Sequence, residues 1–405
     1  MAVGLKSPET LLPIAGIRLG ATAAGLRYQG RPDLVVVEIE PGANTAAVFT
    51  QNRFAAAPVV VAKEHFTCTT PRALLINAGQ ANAGTGQTGI EVARQSCQLV
   101  ADRLGCSPES VLPFSTGVIG DAPPIGKIDS ALSECIDNNR EDTWVAAAHG
   151  IMTTDTVAKG CSRTVMIDGQ TVTLTGIAKG SGMIRPNMAT MLAFVGSDIA
   201  MDPALLQRSL DTAITHSFNR ITVDGDTSTN DACVLIASGA VKLEPLAHGS
   251  AAYQVWVEAL CEVLLELAQA IVRDAEGATK FVTVQVEEGT TEDDCLAVAF
   301  TVAHSPLTKT ALFASDPNWG RILAAVGRAP IDKLDIENVS LHLNGVCVFE
   351  KGDMAADYTE ETGQAAMAPE EIVIRIGLGM GDTSASVWTS DLSHEYIRIN
   401  AEYRS

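Results

Sequence analysis

Lys179-Gly-Ser-Gly-Met-Ile-Arg-Pro-Asn-Met-Ala-Thr-Met-Leu-Ala-Phe194 reads as a glycine-rich loop and a proline that run directly into an apolar strand beginning at Thr190. A loop entering a strand in this way exposes the side chain at the strand's first position. Threonine there has an ordinary explanation, because β-branched residues fit a pleated, half-buried surface. Just upstream, Val165-Met-Ile167 and Val172-Thr-Leu174 flank Asp168-Gly169, the signature of a tight hairpin whose turn needs positive φ. The middle of the chain is therefore read as sheet.

Working outward, Leu34-Val-Val-Val37, Pro58-Val-Val-Val61 and Ala73-Leu-Leu-Ile76 read as strands separated by Gly, Pro and Asn clusters. From Gly89 to Leu104 apolar residues recur at three- and four-residue steps and Gly105 follows as a stop, which predicts a helix. The second half predicts a helix near 203–217, strands at Ile221–Val223 and Cys233–Ile236, and a long helix from about Tyr253 to Asp274. A hairpin is expected around Asn344-Gly345, and Ile372–Ile376 alternates as a half-buried strand. Helices and strands mix without strict βαβ rhythm. The expected class is α+β, a layered α/β/β/α-type sandwich with a smaller C-terminal α/β region.

Composition narrows the partners. Apolar residues at 46% and charged residues at 19% fit a compact globular chain of two or three domains. With 28 Lys and Arg against 48 Asp and Glu, the net charge of -20 would repel phosphate backbones and anionic membranes, so neither nucleic acid nor membrane is an expected partner. Nine scattered cysteines form no C-x-x-C pair, which suits a reducing compartment. The start, Met1 to Gly16, lacks a basic segment followed by a long apolar run, and the expected location is the cytoplasm.

Thr190 becomes more than a strand residue when its chemistry is considered. A threonine hydroxyl is a poor nucleophile, and this segment has no histidine to serve as base. The free α-amine of an N-terminal threonine, with a pKa of about 7.7–8.0, could take the hydroxyl proton near neutral pH. That terminus requires cleavage between Ala189 and Thr190.

Several segments then carry a resemblance: Ile151-Met-Thr-Thr-Asp-Thr156, Lys179–Ile184, Pro186-Asn-Met-Ala-Thr-Met-Leu192, Thr222-Val-Asp-Gly-Asp-Thr-Ser-Thr-Asn-Asp231, Val272–Phe281 and Ile399–Ser405. In order and spacing the chain resembles the ornithine acetyltransferase family, glutamate N-acetyltransferases of arginine biosynthesis, over nearly its whole length. The resemblance implies self-cleavage into an alpha chain, 1–189, and a beta chain, 190–405, associated two with two. It implies a main catalytic core of about 1–275 plus the C-terminal tail, and a smaller region of about 280–390. It places the oxyanion pair on Thr116-Gly117 and substrate binding on Thr153 (or its neighbour Thr154), Lys179, Thr190, Glu276, Asn400 and Ser405. The expected reaction is ping-pong transfer of acetyl from N2-acetylornithine to glutamate through acetyl-Thr190. No metal or cofactor is implied, and whether acetyl-CoA also serves as donor is left open. Arg185, Gln80 and Gly84 depart from the family's usual loops, which leaves substrate preference less fixed than reaction type.

Other readings compete. The same self-cleaving fold supports amidases and aminopeptidases, in which water receives the acyl group. The strand-then-Asp224-Gly-Asp226 pattern resembles a metal-dependent phosphatase, although no matching Lys or second acidic pair can be placed; otherwise these aspartates are read as buried scaffold. It fails as a calcium loop because Thr229 replaces the required Gly and Leu235 the closing Glu. Gly377-Leu-Gly-Met-Gly381 reads as a bend rather than a phosphate loop. A non-enzymatic acidic binding protein would leave the Lys179–Leu192 segment without purpose.

Overall fold

A computed structural model describes residues 2–185 and 191–402. The chain divides into two compact units. The larger comprises 6–219 and 226–271, and the smaller comprises 1–5, 220–225 and 272–405.

The larger unit contains two sheets. One runs β1 (Ile17–Thr22), β2 (Leu34–Ile39), β4 (Ala73–Gln80), β5 (Val111–Val118). The other runs β3 (Asn44–Phe49), β9 (Ala232–Val241), β8 (Leu192–Ile199), β7 (Gln170–Lys179), β6 (Lys159–Ile167). Val35 and Val37 of β2 share a buried cluster with Phe114, Phe194 and Ile236, so the two sheets pack face to face. Leu34 and Val36 point the other way, into a second cluster with Cys97 and Val100 of the helix Gly86–Leu104 and Leu132 of the helix Ile125–Asp137. A strand covered on both faces must be apolar at every position, which is why Leu34–Val37 does not alternate. On the outer face of the other sheet, Gly176 lies against Val263 and Leu267 of the helix Ala251–Arg273. The layers are thus helix, sheet, sheet, helix, as the sequence implies.

The Asp168-Gly169 hairpin forms as read, with φ of 49° and 77° at the two turn residues. The helix Gly86–Leu104 ends on Gly105 in the left-handed conformation. Pro58–Val61 is a correction: it lies inside a helix, Ala57–Cys68, and not in a strand. Pro58 sits in the first helical turn, where a missing N–H costs nothing, and burial of Val59, Val61, Ala62 and His65 outweighs the strand preference of three valines.

The smaller unit is built on a sheet ordered β13 (Asp353–Met354), β12 (Val346–Glu350), β11 (Ser340–Leu343), β14 (Glu371–Gly377), β10 (Phe281–Gly289), β15 (Thr383–Ser390). β14 alternates as expected, with Ile372, Ile374 and Ile376 buried against Val298 and Val302 of the helix Glu292–Ala303. Asn344-Gly345 turns the β11–β12 hairpin. Ile221–Val223, read as a strand, makes only a single bridge to Trp388, with the Thr222 N–H donating to the Trp388 carbonyl at 3.0 Å. The contacts also draw the boundary differently from the sequence reading: 220–225 and the C-terminal tail belong with the smaller unit. The reason is local, since the Ser393 hydroxyl donates to the Gly277 carbonyl at 2.6 Å and Tyr396 reaches Asp224.

Candidate active site

In the larger unit three strand ends supply the site. β5 delivers Thr116-Gly117 at its C-terminal end, β7 ends on Lys179, and β8 starts at Leu192 opposite Lys179 in the antiparallel register. β8 and β9 run in parallel, and the Ala232 N–H donates to the Met191 carbonyl at 3.0 Å, fixing the backbone immediately after position 190. Ala189 and Thr190 themselves lie outside the described residues, as does Ser405. A cavity of about 30 Å³ opens among Thr116, Lys179, Met191, Ser228, Asn230 and Asp231.

Thr116 is buried, and the Lys179 ammonium donates to its Oγ1 at 2.8 Å. The sequence separated these two side chains by 63 residues and assigned them different tasks; the sheets bring them together. Gly117 has φ +131°, and a Cβ built there would lie 2.3 Å from the carbonyl carbon of Gly79, its partner on β4. Glycine is required at this point for both conformation and close approach. Thr116 and Gly117 are held from behind. Asn230 Nδ2 donates to the Ser115 carbonyl at 2.9 Å and to the Ala81 carbonyl at 2.6 Å, and the Ser115 hydroxyl donates to Asn77 Oδ1 at 2.5 Å. Asn230 lies in the Thr222–Asp231 motif but received no role in the sequence reading, because its partners are known only from the fold.

Asp155 is the second residue the sequence left without a role. Its carboxylate is buried, accepting from Lys159 Nζ at 2.6 Å, from the Thr153 N–H at 2.9 Å and from the Gly180 N–H at 2.8 Å. Burial works to raise its pKa, but the ammonium groups of Lys159 and Lys179 outweigh it and hold the carboxyl well below the usual range. Thr153 and Thr154 are placed differently by this network. Thr153 presents its backbone to Asp155, and the Thr154 hydroxyl lies 2.7 Å from that of Ser181.

In the smaller unit, Glu276 is buried and its Oε2 accepts from Asn400 Nδ2 at 2.8 Å; that amide also donates to the Tyr396 carbonyl. Neither residue behaves as the solvated charge or frayed end that the sequence alone would suggest. Asp224 is half-buried and accepts from the Tyr396 hydroxyl at 3.2 Å, whereas Asp226 is exposed, so the expectation of two buried scaffold carboxylates holds for neither in full. Among the described residues no group of three or more His, Cys, Asp or Glu side chains gathers in a way that could hold a metal ion. Also among them, no helix is long and apolar enough to cross a membrane.

Comparison with known proteins identifies the family. The chain is 52% identical over 406 residues to the arginine biosynthesis bifunctional protein ArgJ of Pseudomonas syringae pv. tomato, with all of both chains covered. It is 54% identical over 395 residues to the protein of the same name in Methylococcus capsulatus, covering 98% of this chain and 97% of that one. Among solved structures, the arginine biosynthesis bifunctional protein ArgJ of Bacillus halodurans superposes with a TM-score of 0.50 at 34% identity, over 51% of this chain and 97% of that chain. The model of the ArgJ family matches residues 18–405, and the chain belongs to that family.

Proposed function

We propose that this protein is an acetyltransferase of arginine biosynthesis that cleaves itself before Thr190 and moves an acetyl group from N2-acetylornithine to glutamate on the Thr190 hydroxyl. The observation that carries the reading is the Thr116-Gly117 strand end beside Lys179, at a cavity bordered by Met191. In the forward half-reaction Thr190 Oγ attacks the acetyl carbonyl and passes its proton to its own α-amine. The Thr116 hydroxyl and Gly117 N–H would stabilise the oxyanion, and the C–N bond breaks as ornithine takes up a proton. Glutamate's α-amine then attacks acetyl-Thr190, releasing N-acetylglutamate and restoring the hydroxyl.

Lys179, Thr153 or Thr154, Glu276, Asn400 and Ser405 would hold the amino-acid portions of the substrates. No step needs a metal or nucleotide, and acetyl-CoA is a candidate second donor. The solved relative from Bacillus halodurans is nearly fully covered by about half of this chain, as expected of a family whose chains are separate pieces, and we assign those pieces here to an alpha chain of 1–189 and a beta chain of 190–405. We assign two copies of each to the assembled enzyme and place it in the cytoplasm.

Denaturing mass spectrometry of the purified protein beside Thr190→Ala tests the reading. Wild type should appear as two fragments divided between Ala189 and Thr190 and the variant as one 42.5 kDa chain. An intact yet fully active wild type overturns the mechanism. Transfer to water in place of glutamate would identify an amidase of the same fold.

A further inference from the structure

The Asp155 side chain is fully buried and ion-paired and does not line the cavity, yet it binds the backbone of Gly180, the chain neighbour of the lining residue Lys179. Its Oδ1 accepts from Lys159 Nζ and from the N–H of Gly180, the residue next to Lys179; its Oδ2 accepts from the Thr153 N–H. One carboxylate therefore fixes the Thr153–Asp155 turn against the end of β7. The other charged and titratable groups around this turn are Lys179 itself, Tyr28, and Arg31, which stacks on Tyr28 and donates to the carbonyls of Met152 and Thr153.

The consequence runs through Lys179 to Thr116. An ammonium group has three donors and no acceptor, so in the 2.8 Å contact Thr116 Oγ1 can only accept. The single hydroxyl hydrogen of Thr116 is thereby excluded from the Lys179 direction and left to donate elsewhere. A cation on the oxygen also withdraws electron density from the O–H bond and makes it a stronger donor. Both effects depend on Lys179 being charged and held in place, and Asp155 supplies the counter-charge and the backbone anchor at Gly180.

Resting on the acetyl-transfer reading above, we propose that Asp155 is a positioning residue of the reaction: by holding Lys179 against Thr116 Oγ1 it directs the Thr116 hydroxyl hydrogen toward the oxyanion. Lys179 accordingly acts on the oxyanion donor and is not confined to binding a substrate carboxylate.

A double-mutant cycle tests this. Asp155→Asn alone would leave the buried Lys159 ammonium without its counter-charge, so the variant to use is Asp155→Asn with Lys159→Met, which removes both buried charges while the one amide oxygen keeps an acceptor for the Gly180 N–H; the Thr153 N–H, which faces the other carboxylate oxygen, loses its acceptor. The paired variant, Thr116→Val and their combination are each assayed as full-length, self-cleaved enzyme with N2-acetylornithine and glutamate. The burst of ornithine counts competent sites, so loss of folded protein is not mistaken for slow turnover. Thr116→Val should lower kcat by about a hundredfold or more. The paired variant should lower kcat by about ten- to a hundredfold with a much smaller change in KM, the cost of misplacing a catalytic donor. Added to Thr116→Val, the paired change should cost less than about threefold, because the group it acts through is already gone. An equal loss in both backgrounds, or a rise in KM with kcat intact, overturns the proposal. If Thr116→Val alone turns over like wild type, the oxyanion reading itself falls and takes the proposal with it.

Discussion

Replacing Gly117 with alanine separates two physical demands that the strand end makes. At φ +131° an L side chain is strained, at a cost of roughly 1–3 kcal/mol. The new Cβ would also sit 2.3 Å from the carbonyl carbon and 2.4 Å from the carbonyl oxygen of Gly79, both backbone atoms that cannot swing away. Forcing β4 and β5 apart adds about 1–3 kcal/mol. The sum is about 2–6 kcal/mol, or a fall in Tm of roughly 4–24 °C at the 2–4 °C per kcal/mol expected for a domain of 150–250 residues. Two controls divide it. Gly105 has φ +67° with open space around it, so Gly105→Ala should show strain alone, about 1–2 kcal/mol. Gly126, in a helix with ordinary φ and open space, should lose nothing and gain at most about 1 kcal/mol. Thermal unfolding of the three variants followed by circular dichroism gives the order. If Gly117→Ala melts no lower than Gly105→Ala, the close approach to Gly79 is not what holds glycine there. Turnover adds a second readout: displacing the Gly117 N–H should lower kcat by about a hundredfold if it faces the oxyanion.

Three further outcomes follow from the structure. Phe194 is buried edge-to-face against Phe114 between the two sheets, with ring centroids 5.2 Å apart, so Phe194→Ala should cost about 3–5 kcal/mol in urea unfolding. Burial pushes the Lys309 ammonium down to about 8, against the opposing pull of Asp391 and Asp224. Below pH 8 folded and unfolded chains are both protonated there and the burial penalty is fully present. Between pH 8 and about 10.4 the unfolded chain holds a proton that the folded one lacks, so wild type should gain on the order of 3 kcal/mol relative to Lys309→Met as pH rises through that window. Equal slopes for the two proteins would refute it. Asn400 is exposed and donates to Glu276, so Asn400→Ala should change stability by about 1 kcal/mol or less while raising KM for N2-acetylornithine; an unchanged KM would remove it from the substrate site.

The elements legible in the sequence were those whose signal is local. Asp168-Gly169 and Asn344-Gly345 fix their turns because both central residues need positive φ, whatever surrounds them. Gly105 stops its helix for the same reason. Pro58–Val61 misled because strand preference in three valines is weak beside the packing of a whole helix against a sheet. Ile221–Val223 misled because an apolar triplet was buried by a loop bridge rather than by a ladder.

The chain by itself carried the motifs that contain Thr116, Gly117 and Lys179 in the larger unit and Glu276 and Asn400 in the smaller, and with them the family, because residue identity and order are carried along the chain. Their relations to one another are not. That Lys179 donates to Thr116, that Asn230 clamps the end of β5, and that Asp155 anchors Gly180 are facts of strand register across separations of 63, 115 and 25 residues. A hydrogen bond is decided by distances of tenths of an ångström, and only the closed sheets set those.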